Sequence, residues 1–133
     1  MGKLFVVGTP IGNLEDITIR AIKILLEAEV IACEDTRRTG MLIKLIREKY
    51  AEMFNLKNSK PVEKKFISVR DWNEQRQLMK IIETLQTSDV ALVSDAGTPL
   101  ISDPGFKVVR AVRAAGFEVV PIPGVSALTA ALS

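Results

Sequence analysis

A chain of 133 residues, 47% hydrophobic and 26% charged, has room for one domain around one hydrophobic core, which excludes a disordered segment and a coiled coil. Eighteen Lys and Arg against sixteen Asp and Glu leave a formal charge of +2, too small for global electrostatics to recruit nucleic acid, so an anionic substrate must be met by a local patch. The absence of histidine excludes a Ser/His/Asp triad and a His-ligated metal within the chain, and the single cysteine, Cys33, excludes an internal disulfide and a zinc or iron-sulfur site.

Five apolar runs of strand length follow one another: Leu4 to Val7, Val30 to Cys33, Phe66 to Val69, Val90 to Val93 and Val119 to Ile122. Helical patterns lie between them. Ile17, Ala21, Ile24, Leu25 and Ala28 recur at helical spacing after Asp16, the expected cap, and Leu78, Ile81, Ile82 and Leu85 do so after Asn73 and Glu74. Val108, Val109, Val112 and Ala115 mark a further helix, ended by Gly116. Strands alternating with helices, the strands almost wholly apolar, predict an α/β fold with a five-stranded, mostly parallel sheet flanked by helices. Tyr50 to Lys65, with Asn, Ser, Pro and four lysines, reads as a solvated, mobile connection, a nucleic-acid contact being the sharper alternative. Val125 to Ser133 starts a helix that reads either as the opening of something longer or as a short docked terminal helix. Met1 to Val7 is too short for a signal sequence, and no apolar run approaches the roughly 18 residues of a membrane span. With one cysteine, the expected compartment is the cytoplasm.

A parallel sheet delivers its loops to one rim, and the chemistry is expected there. The richest loop follows the fourth strand, where residues 94–105, SDAGTPLISDPG, combine Gly, Pro, Asp, Ser and Thr in a composition suited to close backbone approach to a ligand. After the first strand comes Gly8-Thr9-Pro10-Ile11-Gly12-Asn13, which lacks the G-x-G-x-x-G spacing and any following Gly-Lys-Ser or Gly-Lys-Thr, so neither a Rossmann dinucleotide site nor a P-loop is supported. After the second strand, Glu34-Asp35-Thr36-Arg37-Arg38-Thr39 sets two carboxylates beside two guanidiniums. Arg37 and Arg38 suit bidentate recognition of phosphate, with Glu34 or Asp35 orienting a hydroxyl. The plainer alternative is a helix cap at Asp35 or Thr36 with the arginines on a solvated face. Cys33 reads as a small buried hydrophobe.

Taken together, GTPIGNLEDIT, CEDTRRT, VSDAGTPLISDPG and PIPGVSALTAAL resemble, in order and spacing, four blocks of the tetrapyrrole methylase superfamily. They look most like the branch that methylates the ribose 2′-hydroxyl of a cytidine in small-subunit ribosomal RNA. The resemblance implies an S-adenosylmethionine-dependent methyltransferase, a homodimer with the cofactor folded between two domains. Residues 1–133 would be the N-terminal domain, the C-terminal domain being absent from this chain. Carried onto this sequence, the cofactor contacts would be Asp95, Ala96, Gly97, Thr98, Pro99, Leu100, Ile101, Ser126 and Ala127. Methyl transfer asks mainly for alignment, because the sulfonium is already an excellent leaving group. A ribose hydroxyl is a poor nucleophile, and Asp35, Glu34 and Asp103 are candidates to accept its proton. Arg37 and Arg38 would steer the RNA backbone.

Two departures shape the expectations. Where that branch typically has a His-rich stretch, this chain reads Val69-Arg70-Asp71-Trp72-Asn73-Glu74, and Trp72 becomes a candidate to stack on a base. With half of the cleft missing, weak or undetectable cofactor affinity and no methylation are expected of this chain alone. A corrin or porphyrin methyltransferase is a competing reading, disfavoured by the paired arginines and by Ala96-Gly97-Thr98-Pro99 in place of a Gly-Gly-Asp-Pro turn. A noncatalytic binding or dimerisation module is the alternative outside enzymology.

Overall fold

A computed structural model describes residues 1–9, 14–55, 60–70, 73–93 and 105–122. Every expected strand is present: β1 (Leu4–Val7), β2 (Val30–Cys33), β3 (Lys65–Ser68), β4 (Val90–Val93) and β5 (Val119–Ile122). Helices α1 (Ile19–Glu27), α2 (Thr36–Tyr50), α3 (Glu74–Leu85) and α4 (Gly105–Ala114) connect them in turn. The strands form one sheet in the order β3-β2-β4-β1-β5, and every pairing is parallel.

Alternation along each strand builds two cores, one on each face of the sheet. Leu4 and Val6 of β1, Val30 and Ala32 of β2, and Val90 and Leu92 of β4 point to one face, where Ile81 and Leu85 of α3 and Val108, Val109 and Val112 of α4 cover them. Val7, Ile31, Cys33, Ala91 and Val93 point to the other, under Ala21, Ile22 and Leu25 of α1 and Ile43 and Ile46 of α2. Because β1, β2 and β4 are covered on both sides, their sequences are continuously apolar. Cys33 is the small buried residue expected, with 1% exposure.

The connections decide where a ligand could sit. From β1 the chain crosses to β2 and then β3 through α1 and α2 on one face; from β3 it returns to β4 and then β5 through α3 and α4 on the other. Strand β4 lies between β2 and β1, whose onward helices leave to the opposite face from its own. That is the topological switch point of an open parallel sheet, where a crevice opens beyond the carboxyl ends of the strands.

The bounds of three elements differ from the sequence expectation. Helix α1 is capped by Thr18, whose hydroxyl accepts from the Ala21 amide at 3.1 Å, and not by Asp16, which belongs to a preceding 3-10 turn over Leu14–Asp16. Strand β3 begins one residue early because the Lys65 amide already reaches the Glu29 carbonyl at 2.8 Å, opening the ladder with Lys65 opposite Val30. Val69 falls just outside the strand but stays buried and donates to the Cys33 carbonyl at 2.8 Å, so the ladder runs one bond further. Helix α4 ends at Ala114, two residues short of Gly116, which adopts φ +90° while Phe117 N–H reaches back to the Val112 carbonyl and its ring joins the core. The Tyr50 to Lys65 connection is less detached than expected, since Tyr50 and Phe54 pack against the core beneath α1 and α2.

Candidate active site at the carboxyl rim of the sheet

All five strands end on this rim, and the chain leaves it through Gly8, Glu34, Val69, residue 94 and residue 123. Gly8 extends the ladder by donating to the Ile122 carbonyl at 3.2 Å, and Thr9 is buried immediately beyond it. Strand β4 thus ends between β1, which leads to Gly8 and Thr9, and β2, which leads to Glu34 and Asp35. Its expected cofactor residues Asp95, Ala96, Gly97, Thr98, Pro99, Leu100 and Ile101, together with Asp103, Trp72, Ser126 and Ala127, lie outside the described residues.

The Glu34 to Thr39 cluster stands where the sequence places it, and the cap alternative is realised at Asp35. Its Oδ1 accepts from the amides of Arg37 at 3.0 Å and Arg38 at 3.2 Å, with the Asp35 backbone extended at φ −119° and ψ 107°. Capping does not compete with a role at the rim: it fixes the carboxylate, and both bonds fall on one oxygen. Arg37 and Arg38 are exposed on the first turn of α2, so a phosphate reaching the rim would meet two guanidiniums beside a helix N-terminus. Glu34 is partly buried just before the cap, and its carbonyl accepts from the Ser68 hydroxyl at 3.1 Å.

Sequence reasoning did not single out the polar joint beside this turn as part of the site. The Ser68 carbonyl at the end of β3 accepts two side-chain amides, from Asn73 at 3.0 Å and from Gln77 at 2.8 Å. Asn73 Oδ1 accepts in turn from the Arg70 amide at 2.7 Å. Donation to the Ser68 carbonyl fixes which way the Gln77 amide points, and leaves its Oε1 buried without a hydrogen-bond donor among the described residues. An unmatched buried acceptor costs about 1–3 kcal/mol. One turn before Gln77, Glu74 is largely buried and receives the Lys107 ammonium of α4 at 3.4 Å. The available sequence signal was an Asn-Glu pair opening a helix, followed by a glutamine where a core-facing helix would carry an apolar residue.

Two other features are remote from this rim. Cavities of about 530 Å³, lined in part by Met1, Phe5, Ile24 and Asp89, and about 230 Å³, lined in part by Lys23, Arg47, Phe54 and Lys60, open toward the opposite ends of the strands and helices. Lys64, also at that end, donates to the Leu26 carbonyl at 2.8 Å and to the Ala28 carbonyl, closing the carboxyl end of α1. Burial, assisted by Arg47, pushes its pKa down to about 8 against the opposing pull of Glu27 and Glu29. Among the described residues, no group of acidic, Cys or His side chains could hold a metal ion, and no helix is long and apolar enough to cross a membrane.

The sequence family of tetrapyrrole (corrin/porphyrin) methylases matches residues 3–133. Ribosomal RNA small subunit methyltransferase I of Pasteurella multocida is 46% identical over 132 residues, covering 98% of this chain and 42% of that protein. The protein of the same name in Thermotoga maritima is 45% identical over 134 aligned positions, covering 100% of this chain and 54% of that protein. The chain thus spans about half the length of these relatives or somewhat less. Among solved structures, the native form of uroporphyrin III C-methyl transferase from Thermus thermophilus superposes with a TM-score of 0.67 at 21% identity, over 98% of this chain and 52% of that one. Diphthine synthase gives 0.64 at 19% identity, over 98% and 47%. The structural likeness fixes the fold, and the match over nearly the whole chain fixes the family: this chain belongs to the tetrapyrrole (corrin/porphyrin) methylases.

Proposed function

We propose that this chain is the N-terminal domain of an S-adenosylmethionine-dependent methyltransferase that acts on the 2′-hydroxyl of a cytidine ribose in small-subunit ribosomal RNA. The observation that carries the reading is the position of β4: it ends at the switch point, between β1, which leads to Gly8 and Thr9, and β2, which leads to the capped Asp35. The relatives at 45–46% identity bear the name of an enzyme of ribosomal RNA, whereas the likeness to a tetrapyrrole enzyme is at 21%. This difference favours RNA over a corrin or porphyrin as substrate.

In this reading the cofactor supplies a sulfonium-bound methyl group, and the protein supplies alignment. Asp95 through Ile101, with Ser126 and Ala127 after β5, hold the cofactor. Arg37 and Arg38 take the RNA phosphates, and Trp72 stacks on a base. Asp35, held by its two cap bonds, is the leading candidate to accept the ribose proton, with Glu34 and Asp103 as the other carboxylates of the rim. The whole enzyme is a cytoplasmic homodimer in this proposal.

Titration of the amide spectrum of the chain with S-adenosylhomocysteine tests the reading, because chemical shifts register binding even at millimolar affinity. Shifts grouped at Gly8, Thr9, Val93 and Ile122, and lost on Gly97→Val, are the expected result. Shifts grouped at Gly2, Ser88 and Asp89 on the opposite rim would overturn it.

A further inference from the structure

Helix α3 begins without the cap its sequence offers. Asn73 occupies the cap position, where asparagine ordinarily turns its side-chain oxygen onto the first free amides of the helix. Thr18 and Asp35 do this for α1 and α2, but Asn73 makes no side-chain cap bond to α3. Its oxygen faces backward to the Arg70 amide at 2.7 Å, and its nitrogen to the Ser68 carbonyl at 3.0 Å. Both polar atoms of the best capping residue available are committed to the loop that precedes the helix.

Among the described residues, Ser68 joins the loop so braced to the proposed site. Ser68 receives the Asn73 amide on its carbonyl and presents its hydroxyl to the Glu34 carbonyl at 3.1 Å, one residue before the carboxylate that caps α2. Gln77 donates to the same Ser68 carbonyl at 2.8 Å from the next turn of α3. Two residues of one short segment therefore converge on a single carbonyl, that of Ser68, whose side chain reaches across to Glu34 just beyond β2. Gln77 Oε1 is buried and has no hydrogen-bond donor among the described residues, while the Gln77 amide holds the Ser68 carbonyl beside Glu34.

We propose that Asn73 is a positioning residue: acting through Ser68, it sets the orientation of the Glu34-Asp35 turn, and with it the Arg37-Arg38 pair, at the rim of the sheet. Gln77 supports it from the same carbonyl. Asn73 touches neither cofactor nor RNA in this scheme. It rests on the proposed function only in giving the Glu34-Asp35 turn a part in the reaction; the mechanical link between the two turns stands on the hydrogen bonds alone.

Asn73→Ser tests the link, because serine is an equally good helix cap and cannot span from Arg70 to Ser68. If Asn73 merely started α3, this variant would melt at the same temperature or higher and leave distant amides unchanged. The expected result is an unchanged or slightly raised Tm together with about tenfold faster hydrogen exchange at the Arg37 and Arg38 amides, which report the Asp35 cap more than thirty residues away. Ser68→Ala, which removes the hydroxyl to Glu34, is expected to reproduce that exchange pattern. Acceleration confined to residues 69–77, or acceleration at Arg37 and Arg38 no larger than the change in global stability, would overturn the proposal. The outcome is independent of S-adenosylhomocysteine: shifts grouped at the opposite rim count against the methyltransferase reading, and unaltered exchange counts against the positioning role.

Discussion

The two rims of the sheet are built by different rules. At the amino rim the chain is locked by backbone: the Gly2 amide donates to the Leu85 carbonyl at 2.7 Å, the Lys3 amide to the Asp89 carboxylate at 2.8 Å, and the Val90 amide to the Lys3 carbonyl at 3.0 Å. The polar groups there are spent on closing helix ends and strand starts. At the carboxyl rim side chains do the closing, through Asp35, Ser68, Asn73 and Gln77, and among the described residues one buried side-chain acceptor is left without a donor. The lesson concerns cavities. A space of about 530 Å³ at the amino rim invites assignment as a binding site, yet its Asp89 already serves Lys3, and the polar side chains that converge do so at the other end.

Substitution at the tightest contact separates the rims most sharply. A Cβ on Gly2 would run into the Ser88 carbonyl, a backbone obstacle that no rotamer change relieves. Gly2→Ala is expected to destabilise the chain by about 1–3 kcal/mol, the usual range for overpacking, read as a lower urea midpoint. Any folded Gly2→Ala protein should keep the Arg37 and Arg38 amide protection of the parent, because the damage lies at the far end of the strands. Loss of that protection would mean that the rims are not independent.

At the carboxyl rim, two substitutions of one residue part structure from chemistry. Asp35→Ala removes both cap bonds to α2 and should cost about 1 kcal/mol, whereas Asp35→Asn keeps an oxygen acceptor for the same amides and should cost a few tenths at most. If Asp35 accepts the ribose proton, the Asn substitution made in the complete enzyme abolishes methyl transfer to ribosomal RNA, while the melting temperature stays within about a degree or two of the parent. Full transfer by Asp35→Asn would confine this residue to the cap and move the base to Glu34 or Asp103.

How far the sequence carries depends on what each residue answers to. The strands were legible because β1, β2 and β4 are buried on both faces and leave little room for anything but apolar residues, and the parallel arrangement followed from the same runs. The position of β4 at the centre was not legible, since the runs of β1, β2 and β4 are equally apolar and strand order is a long-range property. Caps were half legible: Asp35 was expected as a cap among alternatives, but the cap of α1 was expected at Asp16 and falls at Thr18, because either residue type caps well and only the backbone decides. The Ser68-Asn73-Gln77 joint was invisible for a related reason. Asparagine before a helix signals a cap, and nothing in a one-dimensional pattern says that its side chain faces backward.

The smallest effect concerns Lys64, and its sign distinguishes a closing group from a ligand-binding one. Its pKa is lowered to about 8 in the folded chain, chiefly by burial, against 10.5 as the ordinary value. Between those two values the unfolded chain binds more protons at this residue than the folded one, so this residue's contribution to stability rises with pH across about 8 to 10.5. Below pH 8 both states are protonated, and the cost of burying the ammonium is constant. Lys64→Met is therefore expected to flatten the rise in stability over that window, measured by urea unfolding at several pH values. Because the ammonium closes α1 at the Leu26 and Ala28 carbonyls, the variant should also lose some stability near pH 7, offset in part by the relief of burying a charge. A slope that survives in Lys64→Met would place the titrating group elsewhere and remove the reason for treating the amino rim as a purely structural end.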